Sequence, residues 1–241
     1  MRAGAARRLS GYAVHAFTAS GSVCALLAIL AILDNRFEQA FGWLLIALVI
    51  DAVDGTLARA VSVEVTLPRI SGERLDLVVD YITYVFVPVL ALLRGGFLSG
   101  TIGLCVGALI LLSSLFHFSD KRSKADDHCF VGFPAVWNLV AFCVFAWGLP
   151  TWAAAGMCLV LSALTFVPLH WVHPMRVRRF FAANISMAAV GVGVCLWVLV
   201  TGFPGGWLAR ALLAGSAAYF TALALAWKII ARPSDSRGSI R

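Results

Sequence analysis

Long apolar runs separated by short polar breaks organise this chain. Crossing the hydrocarbon core of a bilayer takes about 20 mostly apolar residues in a helix. Eight stretches fit that pattern, near residues 11–33, 40–60, 75–93, 97–118, 131–149, 152–170, 181–201 and 207–231. Residues 130–175 contain no Asp, Glu, Lys or Arg, which is too long for one span. Gly148-Leu149-Pro150-Thr151 divides that stretch into a hairpin, because Pro and Gly interrupt helices. Asp34-Asn35-Arg36, Arg94-Gly95-Gly96 and Gly202-Phe203-Pro204-Gly205-Gly206 make similar breaks. The first run is longer than a signal-peptide core and lacks a small-residue cleavage site followed by a polar chain, so it reads as a span.

Composition agrees with this reading. Apolar residues are 61% and charged residues 13% of the 241, with a mean hydropathy of +0.90. A soluble domain is roughly half apolar and about a quarter charged. Ordinary soluble enzymes, disordered segments and secreted disulfide scaffolds are therefore excluded. The fold class expected is all-α: one polytopic membrane bundle over residues 1–241, with about eight transmembrane helices. The six cysteines (Cys24, Cys105, Cys129, Cys143, Cys158, Cys195) show no metal or disulfide spacing.

A net charge of +7 could suggest nucleic acid, but the positions of the charges argue against it. Sixteen of the 19 Lys and Arg fall on one expected side, at Arg2, Arg7, Arg8, Arg59, Arg69, Arg74, Lys121, Arg122, Lys124, Arg176, Arg178, Arg179, Lys228, Arg232, Arg237 and Arg241. Basic residues stay cytoplasmic, so both termini and three loops are expected there, in a bacterial inner membrane. The same charges suit anionic lipid headgroups.

Of twelve acids, four lie inside expected spans: Asp51, Asp54, Asp76 and Asp80. A carboxylate in a bilayer is costly and usually marks function. Asp51, Asp54, Gly55 and Ala58 fall on one face of a helix, and Gly72, Asp76 and Asp80 form a single stripe on the next. The two helices run antiparallel, so the stripes can face each other. Four such charges repel unless cations lie among them, and all-oxygen ligands suit Mg²⁺ or Mn²⁺, two ions for four acids. The small residues leave room for a ligand, and two metals with Arg59 suit a phosphate ester or diphosphate. Two other readings are a proton relay or a cation transporter or channel. Small residues can also serve helix packing alone.

Together, Asp51-x-x-Asp54-Gly55-x-x-Ala58-Arg59 and Gly72-x-x-x-Asp76-x-x-x-Asp80 resemble the signature of the CDP-alcohol phosphotransferase family. Twelve residues separate Arg59 from Gly72, a longer gap than the family usually shows. That gap and the eight spans are similar to its choline-using branch, as are Gly132-Phe133-Pro134-Ala135-Val136-Trp137-Asn138 and His173-Pro174-Met175-Arg176-Val177-Arg178. The resemblance implies transfer of a phosphatidyl group from CDP-diacylglycerol to choline with release of CMP, dependent on Mn²⁺ or Mg²⁺. It implies metal binding by Asp51, Asp54, Asp76 and Asp80, and a CDP moiety bordered by Gly55, Ala58, Arg59 and Gly72. Asp80 would then be the general base. Serine, inositol and glycerol 3-phosphate are the alternative acceptors. CDP-diacylglycerol, choline, CMP and membrane lipids are the expected partners, and a homodimer is one arrangement of the chain.

A quaternary ammonium is held by aromatic faces, sometimes with a carboxylate. Tyr81, Tyr84, Trp137 with Asn138, Trp171 and Glu64 are the candidates, set against an interfacial aromatic belt for the rings and a solvated loop acid for Glu64. His15, His117, His128, His170 and His173 show no ligand spacing and read as packed or interfacial. Arg176, Arg178 and Arg179 suit a lipid phosphate or simply set topology.

Overall fold

The computed structural model describes residues 2–123, 129–175 and 177–230. Of the positions discussed above, Lys124, His128, Arg176, Arg232, Arg237 and Arg241 lie outside the described residues. The elements run α1 (Arg2–Leu33), α2 (Phe37–Val61), the short α3 (Val63–Thr66), α4 (Gly72–Asp80), a π turn (Tyr81–Phe86), α5 (Val87–Arg94) and α6 (Gly100–Ser119). Strand β1 (Cys129–Val131) follows, then α7 (Trp137–Trp147), α8 (Thr151–Leu164), strand β2 (His170–Val172), α9 (Phe181–Thr201) and α10 (Trp207–Ile230). The chain is an all-α, multi-pass membrane bundle. Helix α4, the π turn and α5 form one continuous helix from Gly72 to Arg94.

Six of the eight expected spans appear among the described residues as helices long and apolar enough to cross a membrane. The two from the charge-free stretch are shorter, with 11 residues in α7 and 14 in α8. At 1.5 Å per residue these reach about 16 and 21 Å, against a hydrocarbon core of about 30 Å. Their far ends, at Val131 and His170, instead enter a two-stranded antiparallel ribbon that pairs Cys129 with Val172 and Val131 with His170. Gly132 explains the unwinding at one end. Its φ is +83°, and a Cβ there would come within 2.1 Å of the Thr165 carbonyl oxygen, so only glycine fits. Pro134, Pro168 and Pro174 keep helix from resuming nearby.

The main core gathers around Val85, Leu92, Trp137 and Val144, each fully buried, with Ile32 of α1 and Val198 of α9. At the start of α2, the end opposite Asp51 and Asp54, Phe37, Phe41, Phe97, Phe142, Phe145 and Phe203 pack ring against ring at 4.6–5.5 Å between centroids, tilted or edge-on, the arrangement aromatic quadrupoles favour. Glu38 fastens that end by accepting the Phe203 N–H at 3.0 Å. A smaller core joins the ribbon to α10 through Cys129, Val172, Val177, Leu223 and Trp227.

Helix α1 comes close to the end of α4 and to the loop that follows α3 through small residues. A Cβ on Gly21 would lie 2.6 Å from Val79 Cγ1, and one on Gly11 would lie 2.9 Å from Leu67 Cδ1. Close approach of this kind is how helices pack in lipid, where hydrophobicity alone does not drive them together.

Candidate active site

The two acid stripes meet. Helix α2 ends in a left-handed Ser62 whose N–H bonds back to the Ala58 and Arg59 carbonyls. The chain then turns through α3 and restarts at Ser71, whose side-chain oxygen accepts the Arg74 N–H at 3.2 Å, a standard N-cap. Glu73 in the first turn of α4 favours the positive end of the helix dipole. This short connection folds α4 back along α2 and brings Asp51 of α2 to Asp76 and Asp80 of α4.

One carboxylate oxygen from each of Asp51, Asp76 and Asp80 lies within 4.8 Å of the others, and all three side chains are half-buried. At that distance, and with an effective dielectric near 20, two unit charges repel by roughly 3.5 kcal/mol. A bound divalent cation would relieve that repulsion. Oxygens each about 2.1 Å from one Mg²⁺ lie about 3.0 Å apart at right angles and about 4.2 Å apart when opposite, so the three oxygens would draw closer around a single ion. The all-carboxylate donor set fits a hard divalent ion.

Asp54 is not one of this trio. It sits one helical turn further along α2 and is only 5% exposed. Gly55, Ala58 and Gly72 are half-buried, and Arg59 is exposed. The Arg59 guanidinium folds back along its own helix, where Nη2 donates to Thr56 Oγ1 at 3.1 Å. A Cβ at Gly55 would stand 3.5 Å from Nη1, an ordinary contact, so the guanidinium lies over Gly55 without requiring a glycine there.

The Tyr84 hydroxyl donates to Asp51 Oδ2 at 2.6 Å. A residue that its spacing does not single out, His15 of α1, lies at the start of the second acid stripe. It is buried against Gly72, where a Cβ would lie 3.2 Å from its Cε1, and its Nε2 has no hydrogen-bond partner. The signal that could have found it is a histidine in the first apolar span, at the same depth as the glycine that opens the second acid stripe.

The aromatic candidates are not gathered in one place. Tyr81 donates its hydroxyl to the Leu111 carbonyl at 3.1 Å and meets Phe118 edge-on. Trp137 is fully buried and donates Nε1–H to Ser114 Oγ at 2.9 Å. Phe133 touches both Trp137 and Trp171 edge-on. Trp171 is half-buried on β2, and its Nε1 is buried without a partner. Asn138 accepts the Leu139 N–H and lines an apolar groove with Phe41, Leu44, Leu48, Phe142 and Leu199. Glu64 is exposed on α3. Arg178 and Arg179 are exposed too, and the Arg179 guanidinium lies 5.5 Å from the Phe180 ring centroid.

Among known proteins, the chain is similar to the phosphatidylcholine synthase of Pseudomonas aeruginosa, 42% identical over 195 residues, which are 81% of this chain and 79% of the relative. It is also similar to the phosphatidylcholine synthase of Bradyrhizobium diazoefficiens, 41% identical over 194 residues, 80% of this chain and 73% of that one. A continuous segment of such length cannot miss residues 51–80 in a chain of 241. No family model matches the chain.

Proposed function

Because the chain belongs to the phosphatidylcholine synthase family, we propose that it transfers the phosphatidyl group of CDP-diacylglycerol to choline and releases CMP. The observation that carries this reading is the meeting of Asp51 with Asp76 and Asp80 across two helices, inside the spacing that resembles the CDP-alcohol phosphotransferase signature. The whole chain, residues 1–241, acts in this reading as one membrane domain.

Asp51, Asp76 and Asp80, with Asp54 beside them, would hold Mn²⁺ or Mg²⁺, two ions in this reading. Bound there, the metal supplies positive charge to a diphosphate and holds its oxygens in place. Gly55 and Ala58 would keep bulk away from the nucleotide end, Gly72 would border it with its own open face packed on His15, and Arg59 would turn its guanidinium from Thr56 to a phosphate. The choline oxygen attacks the phosphorus that bears diacylglycerol, the bond from that phosphorus to the CMP oxygen breaks, and CMP leaves. The choline hydroxyl proton passes to the Asp80 carboxylate, a base of the kind that contributes about 10²–10⁴-fold when well placed.

For the trimethylammonium group, Tyr81 and Trp171 are the rings with accessible surface among the aromatic candidates. Trp137 is closed off in the core, and the Tyr84 hydroxyl is engaged by Asp51. Glu64 offers an exposed counter-charge, and Asn138 stands apart on its groove. The distribution of Lys and Arg supports a bacterial inner membrane location, with the acid trio toward the cytoplasm.

The test is CMP release by purified protein in vesicles containing CDP-diacylglycerol. Choline is expected to stimulate release strongly. Serine, inositol and glycerol 3-phosphate are expected to do little, and a chelator is expected to abolish the reaction until Mn²⁺ or Mg²⁺ is restored. No stimulation by choline overturns the acceptor assignment, and full activity in chelator overturns the metal.

A further inference from the structure

We propose that Tyr84 is a positioning residue that fixes the orientation of Asp51 for cation binding. This rests on the metal reading above and goes beyond it, because it gives a phenol on one ligand-bearing helix control over a carboxylate on the other.

Tyr84 is 8% exposed, and its hydroxyl donates to Asp51 Oδ2 at 2.6 Å, across 33 residues of sequence. That length is in the range of a hydrogen bond from a neutral hydroxyl to an ionised oxygen, the stronger kind. An ionised carboxylate offers about four acceptor directions on two oxygens. Tyr84 takes one of them, on Oδ2, and so fixes which way the carboxylate plane faces. It also removes the rotational freedom that Asp51 would otherwise lose on meeting an ion.

The backbone is arranged to deliver that hydroxyl. Asp76, Asp80 and Tyr84 are spaced by four. In a plain α-helix each such step drifts about 40° around the axis, so two steps carry Tyr84 well away from the Asp76 direction. The π turn over Tyr81–Phe86 holds more residues per turn and counters that drift. It is held on two sides. Thr83, 2% exposed, donates its hydroxyl to the Val79 carbonyl at 3.0 Å, and Tyr81 fastens the turn to α6 through Leu111. A π turn held in this way beside the acid trio is a means of aiming a side chain.

The test compares wild type, Tyr84→Phe and Asp51→Asn by titrating Mn²⁺ into purified protein and reading free Mn²⁺ by electron paramagnetic resonance, with no substrate present. The phenylalanine ring fills the same space, so the variant is expected to fold with an unchanged thermal midpoint. Mn²⁺ affinity is expected to fall about ten-fold or more, the usual effect of removing an outer partner of a metal ligand. In CMP release, the Mn²⁺ concentration needed for half-activation rises while the choline KM stays constant. Wild-type Mn²⁺ affinity in Tyr84→Phe overturns the proposal, as does a raised choline KM with unchanged Mn²⁺ binding. If Asp51→Asn loses Mn²⁺ and Tyr84→Phe does not, only the positioning role falls. If the wild type binds no Mn²⁺, the metal reading falls with it. A Tyr84→Phe protein that does not fold also overturns the proposal, since the hydroxyl then serves stability.

Discussion

At the scale of single residues, Asp80 combines two duties that chemistry usually separates. It is expected to lend an oxygen to a cation and to accept a proton from the attacking alcohol. Asp80→Asn keeps the shape and a carbonyl oxygen but removes the proton acceptor. CMP release is therefore expected to fall by at least about 100-fold, with binding of CDP-diacylglycerol largely retained; a rate near that of the wild type overturns the assignment. The stripe Asp76-x-x-x-Asp80 and the face carrying Asp51 were legible in the sequence because helical periodicity alone puts those residues on one side. The engagement of Tyr84 with Asp51 was not, because it depends on the local hydrogen-bond register. Nothing in the letters Tyr-Ile-Thr-Tyr-Val-Phe distinguishes a π turn from an α turn. His15 was missed for a different reason: its importance is its contact with Gly72, and contact between spans has no period to read.

At the scale of elements, α1 is the support on which α4 stands. Gly21 against Val79 is the tightest point of that support. Gly21→Leu is expected to push α1 from α4, lower the thermal midpoint and reduce CMP release several-fold, even though Gly21 carries no functional group. Measuring both on the same purified variant separates this from a local effect: activity lost at an unchanged midpoint contradicts a packing role. The lengths of α2, α6, α9 and α10 were readable because polar breaks bound their apolar runs on both sides. The lengths of α7 and α8 were not. Phe130-Val131 and Trp171-Val172 are as apolar as any helical span, and hydropathy does not tell a strand from a helix. Gly132, Pro134, Pro168 and Pro174 were the available warning.

At the scale of the whole molecule, the one-sided placement of Lys and Arg sets an orientation that cysteine labelling checks. In a background with the native cysteines replaced, Ser62→Cys between α2 and α3 is expected to react with a membrane-impermeant reagent only from the cytoplasmic side. Asn35→Cys, between α1 and α2, is expected to react only from the outside; the reverse pattern overturns the sidedness. The two-stranded ribbon of β1 and β2 packs on α10 through Cys129, Val172, Leu223 and Trp227, and it takes residues from the stretch that would otherwise lengthen α7 and α8. The consequence lies in the surrounding lipid. An acyl chain beside the 23 residues from Gly72 to Arg94 meets about 34 Å of helix, but beside the exposed Trp152, Leu159 and Val160 of α8 it meets about 21 Å. Hydrocarbon must pinch or tilt to match such a step, at a fraction of a kcal/mol for each ångström. A thinned rim on that flank would shorten the distance between dissolved amino alcohols and the glycerol backbone of a membrane-held donor.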